Sequence, residues 1–336
     1  MIQTINYPLS KYCIDRDGGW ELLASRVKAL GLDGIEAIVD PDDLADDCPD
    51  ALIAGYHMVF YPDWVDFWRQ DEKKLLAKFQ SWDEINAVYR GTKPEDLMRQ
   101  FKDDLAYGVK RRAPYMVFHV SDVSLAESYT YQWLHTNREV LDAAVEFINE
   151  LLKGVDPTFD FLIENLWWPG LQFTDPAETE YILSRIDYPR KGIMLDTGHL
   201  MSTNTRLRTQ KEGVAYILSC VEHHGELAKA IRGLHFHQSL SGAYVRSHTG
   251  AVPDDFPQDY FKAFAYNYPH VEAIDQHRPW TEPDCVRILD AVEPQYLTMS
   301  SATATSSASS ARPGVSSQRY GKGTASDAAI VANRKP

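Results

Sequence analysis

Apolar residues recur along the chain in eight short runs, near residues 2–7, 34–39, 55–61, 114–120, 159–166, 192–197, 231–238 and 294–299. Each run is rich in β-branched or aromatic residues and apolar on both faces, which is the pattern of a strand covered on both sides. Between the runs the apolar period lengthens to that of a helix. Trp20, Leu23, Val27 and Leu30 share one helical face, Leu97, Phe101 and Leu105 a second, and Val140, Ala144, Phe147 and Leu151 a third. Thr92-Lys-Pro-Glu95, Asp175-Pro-Ala-Glu178 and Thr281-Glu-Pro-Asp284 read as helix starts, each with a capping residue, an early proline and an acid one turn in. Strands alternating with helices predict an α/β fold with a parallel sheet, and eight units favour its closure into a (β/α)8 barrel.

Two connections are too long for simple loops, residues 62–91 after the third run and 239–280 after the seventh. Both are expected to overhang one end of the barrel as lids. After Thr298 the pattern stops. Residues 300–336 are rich in Ser, Ala and Thr and have no period, the composition of a disordered tail. The break falls inside the eighth strand, so the eighth unit reads as incomplete and the terminus as replaced, as by a frame change. The predicted organisation is a barrel domain over 1–299 and a low-complexity tail over 300–336.

Charge narrows the choice of partners. The formal net charge is −14, and the tail's five Lys/Arg against one Asp leave −18 on the rest. Such a body repels polyanions on average and argues against a nucleic-acid partner, although bound metal can reverse the potential locally. No apolar stretch approaches the roughly 20 residues that span a bilayer, so no membrane association is expected. The start MIQTINYPLSKYC lacks the basic-then-apolar pattern of a signal peptide. Cys13, Cys48, Cys220 and Cys285 lie far apart without a CxxC pair. They fit the reduced thiols of a cytoplasmic protein, with self-association left open.

The chemistry gathers where the strands give out. His57 stands in GYHMVFY, His119 in YMVFHVSD, Glu164 in FDFLIENLWW, Asp196 and His199 in GIMLDTGH, and His237 in GLHFHQS. In a (β/α)8 barrel these ends open onto the one face that carries the active site. Strand alternation points Leu162 with Glu164, Met194 with Asp196 and His235 with His237, so each polar residue is the last inward position. Imidazoles and carboxylates converging there suit divalent metal; the alternative is a hydrogen-bonded polar layer. Asp275-Gln-His277, in the second long connection, has the spacing to hold a metal jointly. Trp167, Trp168 and Tyr61 could wall a sugar ring or a base, and ordinary packing explains them equally well. His223, His224 and His270 are expected to face solvent.

The segments IENLWW, LDTGH and HFHQS, in that order and spacing, resemble the xylose isomerase-like TIM-barrel superfamily over residues 1–299. It holds metal-dependent sugar isomerases and epimerases and the endonuclease IV-type apurinic endonucleases (AP endonuclease family 2). For the epimerases the resemblance implies one ion on Glu164, Asp196, His237 and a strand-eight Glu, with His199 contacting substrate. For the endonucleases it adds His57 and His119 as zinc ligands, and a third ion on His199, Asp275 and His277. The strand-eight Glu, expected directly after YLT, is replaced by Met299 and Ser300, which leaves the return proton without its family donor. The leading expectation is a sugar isomerase or epimerase with a divalent metal cofactor (Mn, Zn, Mg or Co) and a small sugar-derived substrate. Glu164 would abstract a proton beside a metal-polarised carbonyl, while His199 and His235 orient substrate hydroxyls. The alternatives are a zinc phosphodiesterase acting on abasic DNA and a metal-binding barrel without turnover.

Overall fold

A computed structural model describes residues 1–299. Eight parallel strands close into a barrel in chain order: β1 (Ile2–Leu9), β2 (Gly34–Val39), β3 (Ile53–His57), β4 (Tyr115–His119), β5 (Asp160–Glu164), β6 (Lys191–Asp196), β7 (Ile231–His235) and β8 (Tyr296–Met299). Closure comes from β8 returning to β1, with Ile2 opposite Tyr296 and Ile5 opposite Met299. The expected low-complexity tail, residues 300–336, lies outside the described residues.

Pleating sorts each strand into an inner and an outer face. Tyr115, Val117, Leu162, Met194 and Tyr296 meet along the axis. Their outward neighbours, such as Phe118, Ile163 and Leu195, join the larger core between barrel and helices. The three apolar stripes read from the sequence lie on the helices Trp20–Ala29, Pro94–Lys110 and Asn137–Leu151. Leu23, Val27, Leu97, Phe101, Leu105, Val140, Ala144, Phe147 and Leu151 are all buried on them. Each large apolar side chain contributes roughly 1.5–3 kcal/mol by leaving water.

Helix starts follow the prolines. Asp175 caps the helix Pro176–Arg185 as expected, its Oδ1 accepting from the Ala177 N–H at 2.9 Å. The other two starts are shifted by one residue, to Lys93 before Pro94 and to Glu282 before Pro283. At the first of these Asp96 does the capping, accepting from the N–H groups of Thr92 and Lys93.

Both long connections are built structures. Residues 62–91 contain the helices Val65–Arg69, Glu72–Lys78 and Trp82–Tyr89. Trp64 and Trp68 pack on Phe147 of the outer helical layer. The second connection contains Gly242–His248 and Tyr260–Ile274. The two connections touch where Phe79 packs on Tyr260 and Glu84 accepts from the Tyr260 N–H.

Two histidines expected in solvent are buried instead. His224 stacks on Phe173 at 3.8 Å and pairs with Thr179 Oγ1, while His270 stacks on Tyr129 at 3.9 Å and donates to the Ser128 carbonyl. An aromatic face and a hydrogen-bond partner offset the desolvation of each ring. His223 is exposed. All four cysteines are buried free thiols. No helix of the described residues is long and apolar enough to cross a membrane.

Candidate metal centre

Strands β3 to β7 end on His57, His119, Glu164, Asp196 and His235, so five polar side chains are delivered to one level of the barrel. Register fixes their neighbours: His119 lies opposite Glu164, and Asp196 opposite His235. His237 follows two residues beyond β7. His199 stands not in a loop but on a short helix, Thr197–Ser202, that starts directly from β6. Asp196 Oδ1 caps this helix by accepting from the His199 N–H at 2.7 Å, which leaves Oδ2 to face His237 Nε2, also at 2.7 Å. Gly198 is required between them, because any Cβ there would overlap the His237 ring.

The motifs hold one another in place. The Asn165 side chain accepts from the Asp196 N–H and donates to the Asp196 carbonyl, at 2.8 and 3.1 Å. The Asn165 carbonyl accepts from His199 Nδ1 at 2.9 Å. His57 Nδ1 likewise donates to the Met58 carbonyl at 2.9 Å. A carbonyl can only accept, so both rings carry their proton on Nδ1 and, when neutral, a lone pair on Nε2. His57 Nε2 faces Glu164 Oε2 at 3.1 Å, and His199 Nε2 faces Asp275 Oδ2 at 3.2 Å. A lone pair set against a carboxylate oxygen needs a cation between them, either a proton or a metal ion. Backbone anchoring of the far nitrogen is the usual support of a metal-ligating histidine.

Spacing agrees with metal. His57 Nε2, His119 Nε2 and Glu164 Oε2 lie 2.9–3.1 Å from one another. Ligand atoms roughly 2.0–2.1 Å from a tetrahedral ion stand about 3.3 Å apart, so a small expansion would bring this triad to a ligand shell. Glu164 turns its other oxygen, Oε1, toward His235 and His199, at 2.8 and 3.4 Å, and so spans two donor groups. A further group joins Asp275, which reaches His277 Nδ1 at 3.1 Å, to His199. The His277 ring stacks on His237 at 4.0 Å. His277 holds φ 45°, a left-handed conformation uncommon outside glycine and found most often where a site imposes it.

Protonation follows from burial and charge. Burial pushes the Glu164 carboxyl up, but His235 and His119 more than offset this and hold it well below the usual carboxylate range. Burial dominates at His119 and lowers its ring to about 4. At His199 burial acts downward and is overcome by Asp196 and Asp275, which raise the ring to about 10.

Sequence reasoning passed over Glu36. It sits fully buried on β2, beneath the triad, and accepts from Asn6 Nδ2, the hydroxyls of Tyr115 and Thr298, and His235 Nε2, at 2.6–3.0 Å. His235 therefore bridges two carboxylates, Glu36 below and Glu164 above, which places it under the cluster and not at its open edge. Thr298, on β8, donates to Glu36, and β8 contributes no acid among the described residues.

The aromatic residues divide. Trp167 lies 5.2 Å from the His199 ring, and Trp168 packs behind it at 4.3 Å. Both are buried with Ile274, just before Asp275, so they also seat the second connection. Tyr61 packs its ring on Tyr89 and Phe101 and donates its hydroxyl to Gln100, and it lines a small cavity together with Phe60 and His119. Phe60 meets the His119 ring at 4.3 Å. Among the described residues, the donors most open to solvent are His57, His119, Asp275 and His277, whose side chains are 11–14% exposed against 5% or less for Glu164, Asp196, His199 and His237.

A family model described as xylose isomerase-like TIM barrel matches residues 24–282. No curated protein matches the sequence. Among solved structures the chain is similar to an L-ribulose 3-epimerase, with 13% identity, TM-score 0.48, and 95% of this chain and 89% of that one covered. It is similar to a D-psicose 3-epimerase determined in the presence of D-fructose, with 12% identity, TM-score 0.46, and 89% and 84% covered. It is also similar to endonuclease IV from Thermus thermophilus, with 14% identity, TM-score 0.43, and 90% and 92% covered.

Proposed function

The chain belongs to the xylose isomerase-like TIM-barrel family, and from that premise we propose a divalent-metal-dependent enzyme whose multinuclear centre hydrolyses a phosphoester. The observation that carries this reading is the arrival of Asp275 and His277 beside His199, in addition to the groups around Glu164 and Asp196. Eight side chains, His57, His119, Glu164, Asp196, His199, His237, Asp275 and His277, offer more donors than a single four-coordinate ion uses. With Glu164 spanning two groups, they suit two or three ions, and imidazole with carboxylate suits Zn or Mn. Bound there, the ions would polarise a phosphoryl oxygen and make a water acidic enough to react near neutral pH. The chain's own part is to fix the donors through Asn165, Met58 and Gly198, to present the more exposed edge to substrate, and to hold the His119 and His199 rings in place with Phe60 and Trp167.

The isomerase reading keeps one specific support, the acidic balance of −14, which favours a small substrate over a polyanion. Its two-carboxylate proton transfer lacks a β8 acid among the described residues, whereas phosphoester hydrolysis needs no second carboxyl group on β8. Elemental analysis after dialysis against low Zn and Mn separates the readings. Two or three ions per chain, with turnover of bis(4-nitrophenyl) phosphate abolished by Glu164→Gln, is the expected result. One ion, with interconversion of ketose epimers and no phosphoester turnover, would return the assignment to the isomerases.

A further inference from the structure

The second long connection begins and ends on candidate metal donors. It leaves the barrel just after His237 and returns through Asp275 and His277. A short neck holds the two ends together. Gln238 and Arg278 exchange backbone hydrogen bonds at 2.8 and 3.0 Å, an isolated antiparallel pair. Next to that pair, Ser239 Oγ accepts from the Gln276 N–H at 2.9 Å, and the His237 and His277 rings stack across the neck at 4.0 Å. His277 belongs to two donor groups, one with Asp196 and His199 and one with His237 and Asp275. The neck of the connection and the edge of the candidate metal centre are therefore the same place.

Beyond the neck the connection is lightly packed. Between Gly242 and Ile274 the buried apolar residues are Val245, Ala263 and Ile274. The helix Asn137–Leu151, less than half as long, buries Val140, Leu141, Phe147, Ile148 and Leu151 among others. Pro269 also removes a backbone donor from within the helix Tyr260–Ile274. Contacts with neighbouring segments include Arg246 on the Thr205 carbonyl, the Gly250 N–H on the Tyr129 carbonyl at 2.7 Å, and the Tyr260 N–H on Glu84 at 2.7 Å. The Tyr129 ring adds Phe256 and His270. A segment with few buried apolar side chains opens locally at a fraction of the cost of global unfolding.

We propose that an ion bound through Asp275 and His277 is the clasp of this connection: with the ion in place residues 239–277 stay closed over the centre, and without it they open as a unit. This rests on the metal reading of the donors given above. An ion that ties the neck to Asp196 and His199 closes a long loop, and the longer the loop, the more open conformations such a tie removes. The bonds of the neck itself are weaker holds, since each only exchanges a partner in water for one in the chain. Coupling of this kind is reciprocal, so a closed connection also tightens the grip on the ion. Asp275 and His277 are among the donors most open to solvent, so an opened connection uncovers the side from which an ion is loaded.

Hydrogen–deuterium exchange of the full chain, stripped with EDTA and then restored with Zn alone, tests this without requiring turnover. With free Zn at a hundredfold excess over its Kd, the amides of residues 242–274 are expected to exchange about a hundredfold more slowly, the factor by which that excess depletes an ion-free open form. The helix Asn137–Leu151 serves as the control and is expected to change far less. Asp275→Asn is expected to cancel the gain in 242–274 while Zn still binds through the group around Glu164. Ser239→Ala, which removes no donor, is expected to speed exchange of the same amides in the stripped protein and to let Zn restore their protection. Bound Zn with unchanged exchange in 242–274, or a gain that survives Asp275→Asn, overturns the clasp and leaves the metal reading standing. Slowing shared equally by Asn137–Leu151 also overturns it, because the ion then stabilises the whole barrel. A chain that binds no Zn overturns both.

Discussion

At the scale of single residues, Glu36 shows how a buried charge can organise a site that it need not touch. Asn6, Tyr115, Thr298 and His235 all donate to its carboxylate, and burial, which raises its pKa, is outweighed by His235 so that it stays ionised. Through His235 that charge reaches Glu164 Oε1, an oxygen also within 3.4 Å of His199. Glu36→Gln keeps the shape, removes the charge and turns one acceptor into a donor facing donors. Breaking a buried pair from one side costs about 3–5 kcal/mol, and urea unfolding at neutral pH should show a loss of that order. Because His235 positions Glu164, metal affinity should fall about 10–100-fold as well, measured by competition with a chromophoric chelator. A variant as stable as the wild type and with full affinity would reduce Glu36 to a bystander. This residue was legible but unread: GIEAIV scans as a plain strand, yet an acid between Ile35 and Ala37 in a strand covered on both faces can point only into the barrel.

At the scale of elements, what the sequence reading recovered was whatever periodicity alone determines. Strands with two covered faces stand out as short apolar runs, and their last inward residues follow from alternation, so β3 to β6 end on the polar side chains expected of them, while β7 ends on His235 with His237 two residues beyond. Helix starts slipped by one residue where a threonine two before the proline looked like the better cap; proline fits the first helical position, so the residue just before it must be the cap. The helices within residues 62–91 are too short to repeat an apolar stripe, although Phe67, Leu75, Phe79, Ile85 and Tyr89 are buried in the core, and a charge cluster pins them as well. His135 donates to Asp122 and Asp66, at 2.9 and 3.0 Å, and Lys78 reaches Asp63 and Asp66, at 2.5 and 2.8 Å. Burial lowers the His135 pKa, but its two carboxylate partners raise it to about 10, above its ordinary value near 6.5. A ring that binds its proton more tightly when folded contributes stability in full below about pH 6.5, and that contribution fades as pH climbs through about 10. The melting temperature of metal-loaded protein should therefore fall between pH 7 and 10, and His135→Gln should flatten that slope. A slope identical in both proteins would mean that other groups set it.

At the scale of the whole molecule, the candidate metal centre joins parts that the barrel's own hydrogen bonds leave separate. The donors come from β3 to β6, from the short helix after β6, from the segment after β7 and from the far end of the second connection, more than 200 residues apart along the chain. Without ions, three carboxylates that are almost wholly buried or nearly so, Glu164, Asp196 and Asp275, depend on protonated imidazoles for neutralisation. That arrangement is the hydrogen-bonded polar layer that stood as the alternative from the start, and the two differ in a bulk property. Ions that bind the folded chain alone stabilise it by about 2.7 kcal/mol per site at a hundredfold excess over Kd. Roughly 2–4 °C per kcal/mol for a domain near this size gives a rise of about 5–10 °C from one occupied site, and more from two or three. The melt of EDTA-treated protein should move upward by that amount when Zn or Mn is restored, and Asp275→Asn should remove part of the rise without lowering the melting temperature of the stripped protein to the same extent. A stripped protein whose melting temperature ignores both metals would identify the cluster as a polar core layer and withdraw the metal assignment altogether.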